Sequence, residues 1–363
     1  MRASKYMDVS RKIERYRKRI NPLYIIYPNT TITKSIFEQV AINTEDQRFI
    51  TGIINSEMTE EFKIGGHEDY DLLLSLVTKQ EDFETVNEKN VPLCVVYIDL
   101  RNFSKRALFA EDPGYETIEE IAALKQRAIS TWIKVSRYYQ AHIHSITGDG
   151  LMILLGGKKE QDLDTWTNGA RALLLTLRIL ESEKMLNDEL IQYLKDKGLE
   201  QYAINSDNML DIKVSVDFSP NTLMNPQGVC VCINGEQKPI GEVKATSFHI
   251  DICAKMLAYY KQVKERLEGN RKLGRVLLFG EEYKMLMDFN EEKVPINNAG
   301  TYSKTMFSTN KSYISYYIDA NNFKDNILTL DDVAGICNVF DDSSLSGDVS
   351  INIARRAQIQ HGE

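Results

Sequence analysis

The residues Val95-Val96-Tyr97-Ile98-Asp99-Leu100-Arg101-Asn102-Phe103-Ser104 read as the end of a buried strand running into a polar turn. The apolar run starts at Leu93 and reaches Leu100, and a single acid, Asp99, interrupts it. A run this apolar belongs inside a sheet that helices cover on both faces. An acid in such a setting is costly unless something partners it. The turn that follows can turn backbone N–H groups toward phosphates, and Arg101 adds a cation. It is no Walker loop, since GxxxxGK[ST] is absent from the chain.

Downstream, helical spacing of Ile121, Leu124, Ala128, Trp132 and Val135 predicts a helix over 118–139. Strands are expected at 141–146 and 151–155, joined by Thr147-Gly148-Asp149-Gly150. Asp-Gly between two apolar runs signals a β-hairpin. A long helical stretch covers 163–197, in one piece or two. Further strands are expected at 212–217, 229–233 and 275–279, with helices at 247–267 and 280–288. Strands and helices alternate around an embedded hairpin. The fold class is therefore α+β with an α/β-type mixed sheet. Asp99 and Asp149 both fall at strand ends, where one sheet edge can join them. Paired carboxylates suit hard divalent cations and phosphoryl transfer. The plainer alternative makes Asp149 a turn residue and Asp99 a helix cap.

Composition narrows the function classes. The chain has 363 residues, with 44 Lys plus Arg against 52 Asp plus Glu and a net charge of −8. That balance argues against general nucleic-acid binding. No apolar stretch is long enough to span a bilayer, and no apolar signal core follows the first basic residues. Five cysteines without zinc-finger spacing fit a reduced, cytoplasmic setting, with Cys230 and Cys232 expected to pack. Residues 1–20 hold eight basic and two acidic residues, read as a solvated basic arm. Residues 1–88 form an arm and lead-in region, with a strand at 23–27, a loop at 64–67 and a helix around 71–77. A catalytic domain is assigned to 89–320 and a C-terminal extension to 321–363.

On these residues the chain resembles the class III nucleotidyl cyclases. The stretch 95–104 looks like that family's first metal strand, and Ile146-Thr147-Gly148-Asp149-Gly150 like its second metal hairpin. The segments 212–217 and 241–256 fall in order as its later core strand and helix, so the likeness spans roughly 90–290. The resemblance implies a ferredoxin-like core with flanking helices. It also implies that Asp99 and Asp149, with the Leu100 carbonyl, bind two Mn²⁺ or Mg²⁺ ions. The ribose 3′-OH would attack the α-phosphorus of a nucleoside triphosphate and release pyrophosphate. Nucleotide contacts would fall on Tyr97, Arg101, Asn102, Phe103, Ser104, Ser145, Phe248 and Lys255. A head-to-tail homodimer is implied as well.

Departures from the family pattern refine the expectation. Ser145 and Phe248 stand where the family reads purines, so the usual recognition of adenine or guanine is missing. Asp251 and Lys255 stand where it has a transition-state Asn and Arg, unless the two form an i,i+4 ion pair. Lys244, Lys304 and Lys311 are further candidates for the triphosphate. Retained metal acids with altered purine readers resemble the bacterial pyrimidine cyclases of the Pycsar anti-phage system. That resemblance implies cyclic UMP or cyclic CMP as product, with UTP slightly preferred, read by a separate effector. The alternatives are a purine cyclase and an inactive cyclase-like domain. His142 and His144 are expected to be buried and satisfied, His249 to have some chance of reaching a base, and Trp132 and Trp166 to be core.

Overall fold

The computed structural model describes residues 45–56, 58, 62, 64–65, 74–85, 89–101, 103–108, 116–156, 165–204, 208–268, 275–306, 309–323 and 327–338. The basic arm, the strand expected at 23–27, residues 66–67 of the expected loop and 71–73 of the expected helix lie outside them. The chain divides into two compact units, Met1–Ser56 with Val339–Glu363, and Glu57–Asn338. In the first, helix α1 (Glu45–Asn55) buries Ile50, Ile53 and Ile54, which share one face by their i, i+3, i+4 spacing.

The second unit opens with a short helix, α2 (Asp82–Thr85), before strand β1 (Lys89–Leu100). Then follow α3 (Phe103–Leu108), α4 (Ile118–Tyr138), β2 (His142–Ile146), β3 (Gly150–Gly156) and α5 (Thr165–Asp196). The next elements are β4 (Ile212–Ile233), β5 (Glu236–Thr246), α6 (Phe248–Met256), α7 (Tyr260–Glu268), β6 (Val276–Gly280) and α8 (Glu281–Met287). The hairpin β7 (Asn297–Met306) and β8 (Thr309–Asp319) precedes α9 (Leu330–Gly335). The sheet has eight strands in the order β2-β3-β1-β4-β6-β8-β7, with β5 paired to β4. The first four form the β-α-β-β-α-β arrangement of a ferredoxin-like core, antiparallel at every pairing. Only β4 with β6 is parallel, so the sheet is mixed.

β1 is buried on both sides. Leu93 and Val95 share a cluster with Ile250, Cys253 and Met256 of α6, while Cys94, Val96 and Ile98 are sealed on the opposite pleat face. Helix α4 begins with a reciprocal capping box between Thr117 and Glu120 and buries Trp132 completely. Helix α5 is a single 32-residue helix. Its Arg178 is fully buried and donates to the Ile327 carbonyl at 2.6 Å and to Glu181 Oε1 at 2.6 Å.

Three expectations change. The strands expected at 212–217 and 229–233 are one continuous strand, because β1 pairs with it as far as Met224 and β5 takes over from Leu223. The helix expected at 247–267 is two, joined by a 3₁₀ turn at Leu257–Tyr259. Cys230 is half-exposed and Cys232 exposed on the β4–β5 arm, so neither packs.

Behind the end of β1, a polar cluster locks the start of β4. Asp211 accepts from Arg101 Nη1 at 3.0 Å, from Lys264 Nζ at 2.6 Å and from the Tyr260 hydroxyl. Glu183 keeps part of its stem accessible, but its carboxyl is enclosed and accepts from the Ile212 N–H at 2.8 Å. Burial, then the Asp211 charge, push this carboxyl up to about 7 from 4.5. An acid whose pKa rises on folding binds more protons folded than unfolded, so stability drains away as pH climbs from 4.5 to about 7. Glu183→Gln should remove that loss. Its stability relative to the parent should rise between pH 5 and pH 8 by on the order of 2 kcal/mol, read from urea unfolding. A constant difference across that range would contradict the assignment.

Candidate active site

The site is built at one end of β1. Asp99 faces Gly150 across the β1–β3 pairing and Lys213 across the β1–β4 pairing. The β2–β3 turn carries Asp149. Thr147 and Gly150 close it with backbone hydrogen bonds of 2.9 and 3.2 Å. Its central residues are therefore Gly148 and Asp149, not the Asp-Gly pair that signalled the hairpin. Gly148 has φ +70° and Asp149 a negative φ, the pattern of a type II′ turn with glycine first. Gly150 meets a different demand. A Cβ there would lie 2.1 Å from the Ile98 carbonyl oxygen. The hairpin thus comes down directly on β1, and the residue after Asp149 has no room for a side chain.

This close approach brings the Asp99 and Asp149 carboxyls within hydrogen-bonding reach of each other. Partial burial, then the charge of Asp99, raise the Asp149 pKa, while its own backbone and Lys213 pull it back. Lys213 forms an ion pair with Asp99 Oδ2 and is only one-fifth exposed. Two carboxylates forced together form a concentration of negative charge that a divalent cation relieves. Their oxygens, with the Leu100 carbonyl beside them, are the hard donors such an ion prefers. Among the described residues no cluster of three or more His, Cys, Asp or Glu could hold a metal by itself.

Lys213 begins a polar row on the site face of β4. Directly opposed residues share a face, and Lys213, Ser215 and Asp217 oppose Asp99, Tyr97 and Val95. Ser215 donates to the Cys253 carbonyl at 2.8 Å. Asp217 is fully buried and accepts from the Tyr313 hydroxyl at 2.8 Å and from the Tyr283 and Phe218 N–H groups at 3.3 and 2.9 Å. It thereby caps α8, whose own N-cap, Gly280, offers no side chain. Burial raises the Asp217 pKa against these contacts. His249 Nδ1 lies 3.4 Å from Asp217 Oδ2, so this histidine is tied to a buried acid. Lys213 and Asp217 were not singled out in the sequence. Polar residues at every second position of an otherwise apolar strand were the available signal.

The other expected site residues are dispersed. Tyr97 shares the Asp99 face and donates to Met152 Sδ at 3.1 Å. Arg101 is engaged by Asp211. Phe103 is buried, Ser104 exposed and Ser145 half-buried, while Asn102 lies outside the described residues. Phe248 is half-exposed and meets His249 and Tyr313 edge-on. Lys255 stands 5.2 Å over the Tyr302 ring and makes no ion pair with Asp251 among the described residues. Lys244 pairs with Glu242 at 2.7 Å, Lys311 is exposed, and the Lys304 side chain lies outside the described residues. His142 and His144 are buried, as expected, and His144 Nε2 accepts from the Ala245 N–H at 3.4 Å.

The chain is similar to a cytidylate cyclase. That relative, from Staphylococcus aureus, is 23% identical over a 245-residue match that covers 64% of this chain. The match spans about half, 50%, of the relative's own length. It is consistent with the class III nucleotidyl cyclase resemblance and its Pycsar-like branch. No family model matches the chain. Similar solved structures include the adenylyl cyclase CyaB from P. aeruginosa, with TM-score 0.43 and 14% identity, covering 64% of this chain and 95% of that one. The guanylyl cyclase Cya2 matches with TM-score 0.43 and 12% identity, covering 64% and 92%. No helix among the described residues is long and apolar enough to cross a membrane.

The two turn glycines should respond differently to a methyl group. Gly148→Ala meets no atom within 4 Å, so its cost is the backbone strain of φ +70° at the first central position of the turn, roughly 1–3 kcal/mol. Gly150→Ala must push the hairpin off β1 and should cost several kcal/mol, roughly 3 or more. Denaturant unfolding of both variants checks this, and equal costs would mean the hairpin is not seated as described.

Proposed function

We propose that this chain is a pyrimidine nucleotide cyclase, converting CTP or UTP to the 3′,5′-cyclic nucleotide and pyrophosphate. The observation that carries the reading is the convergence of Asp99 and Asp149 at one end of β1. These two carboxylates and the Leu100 carbonyl would hold two Mn²⁺ or Mg²⁺ ions. When bound, the ions would lower the pKa of the ribose 3′-OH and offset the phosphate charge. The β1 end and the seated hairpin fix the two acids relative to one another, which supplies preorganisation.

The base preference follows from residues the site does not offer. Ser145 offers only a short hydroxyl and Phe248 no polar atom, so the family's usual pairing with a purine edge is missing. The name of the cytidylate cyclase relative favours CTP over the slight lean to UTP drawn from the sequence. As in the Pycsar systems it resembles, the chain would act as a homodimer in the cytoplasm. Its product would serve as a second messenger in anti-phage defence, read by a separate effector.

A specific observation favours one competing reading. Lys255 and Arg101 are both engaged elsewhere, which is what a cyclase-like domain without turnover would display. Purified protein incubated with each of the four ribonucleoside triphosphates and Mn²⁺, with products identified by mass, separates the cases. Cyclic CMP or cyclic UMP is expected; cyclic AMP or cyclic GMP would indicate a purine cyclase, and no product an inactive domain. Asp99→Ala and Asp149→Ala should each lower turnover by at least about a hundredfold while the fold is kept. Near-normal turnover in either variant would end the assignment.

A further inference from the structure

Lys213 is not explained by the chemistry above. It lies on β4 directly opposite Asp99, and its ammonium rests on Asp99 Oδ2. The register of a long antiparallel pairing holds it there, since β4 and β1 stay paired from Leu100 back to Lys89 with one irregularity, between Val91 and Leu93. Four-fifths of the side chain is covered, so this is not a lysine waving in solvent. Its charge also acts on Asp149, so the same ammonium serves both acids. Among the described residues its ion pair is with Asp99.

That placement has a consequence for ion binding, which rests on the reading that Asp99 and Asp149 hold divalent cations. Holding two ions at this acid pair would draw on the carboxyl oxygens of Asp99. One of those oxygens already faces a positive charge. A unit charge about 4 Å from a divalent ion, even at an effective dielectric near 20, changes a binding constant by well over tenfold. We propose that Lys213 is a positioning residue that holds the acid pair in a one-ion state, so that the second divalent ion enters only when the lysine releases Asp99. The triphosphate offers the ammonium an alternative set of acceptor oxygens, which couples release to substrate binding. Substrate then completes the site that acts on it.

Titration of the full chain with Mn²⁺ in the absence of nucleotide, with free ion counted from its electron paramagnetic resonance signal, tests this. The parent protein should take up one ion per chain. Lys213→Met should take up two, with the first bound at least about tenfold tighter. Lys213→Arg, which keeps the charge, should retain the parent count. Lys213→Gln serves as a second neutral variant should the methionine variant fail to fold. Parent-like count and affinity in the neutral variants would overturn the role of Lys213. The double variant Asp99→Asn with Asp149→Asn separates this from the functional reading. If it loses Mn²⁺ while the neutral lysine variants match the parent, only the role of Lys213 falls. If it binds Mn²⁺ as the parent does, the acid pair is not the ion site and both readings fall.

Discussion

The backbone contact between Gly150 and the Ile98 carbonyl is what everything at the site rests on. Two carboxylates repel each other, and free in solution they would move apart. Here the repulsion acts against a hairpin seated on a buried strand, and the sheet does not yield. β1 is held by neighbours on both edges and by apolar layers on both faces. Asp99 and Asp149 therefore stay together at a cost in local stability that the apolar body of the sheet offsets. Lys213, fixed by the next strand along, reduces that cost without abolishing it.

β4 ties this corner to the rest of the domain. It pairs antiparallel with β1 on one side and parallel with β6 on the other. Its polar row would be expensive in so apolar a sheet if any member lacked a partner. Each finds one on a different element: Asp99 on β1, the Cys253 carbonyl on α6, and Tyr313 on β8. The row thereby fixes α6 and α8 relative to the strand that presents Lys213. Packing and electrostatics are the same contacts here.

Much of this was legible in the sequence because it rests on strong local signals. The apolar run through Leu93 to Leu100, the helix from Ile118 and the hairpin around Gly148 each carry their own periodicity or turn chemistry. The convergence of Asp99 and Asp149 followed from strand ends alone. What stayed hidden depends on pairing. β5 and β7 hold few apolar residues in alternation, and they become strands because a neighbour supplies their backbone partners. The union of two short strands into β4 has the same origin. Lys213 and Asp217 took meaning only from the residues opposite them, and register is a long-range property. Arg101 and Lys255 read as cations for phosphate, yet the carboxylate of Asp211 and the ring of Tyr302 claim them, and neither partner is near in sequence.

Arg178 shows where the domain ends in physical rather than sequential terms. Its guanidinium sits in the interior of α5, and one of its acceptors is a carbonyl at Ile327, beyond the final strand of the sheet. A charge withdrawn from water tolerates little loss of its hydrogen-bonding company. The chain as far as Ile327 is thus no removable tail. A shortened version of this protein, cut where the sheet stops, would expose its builder to a defect at the centre rather than at the margin.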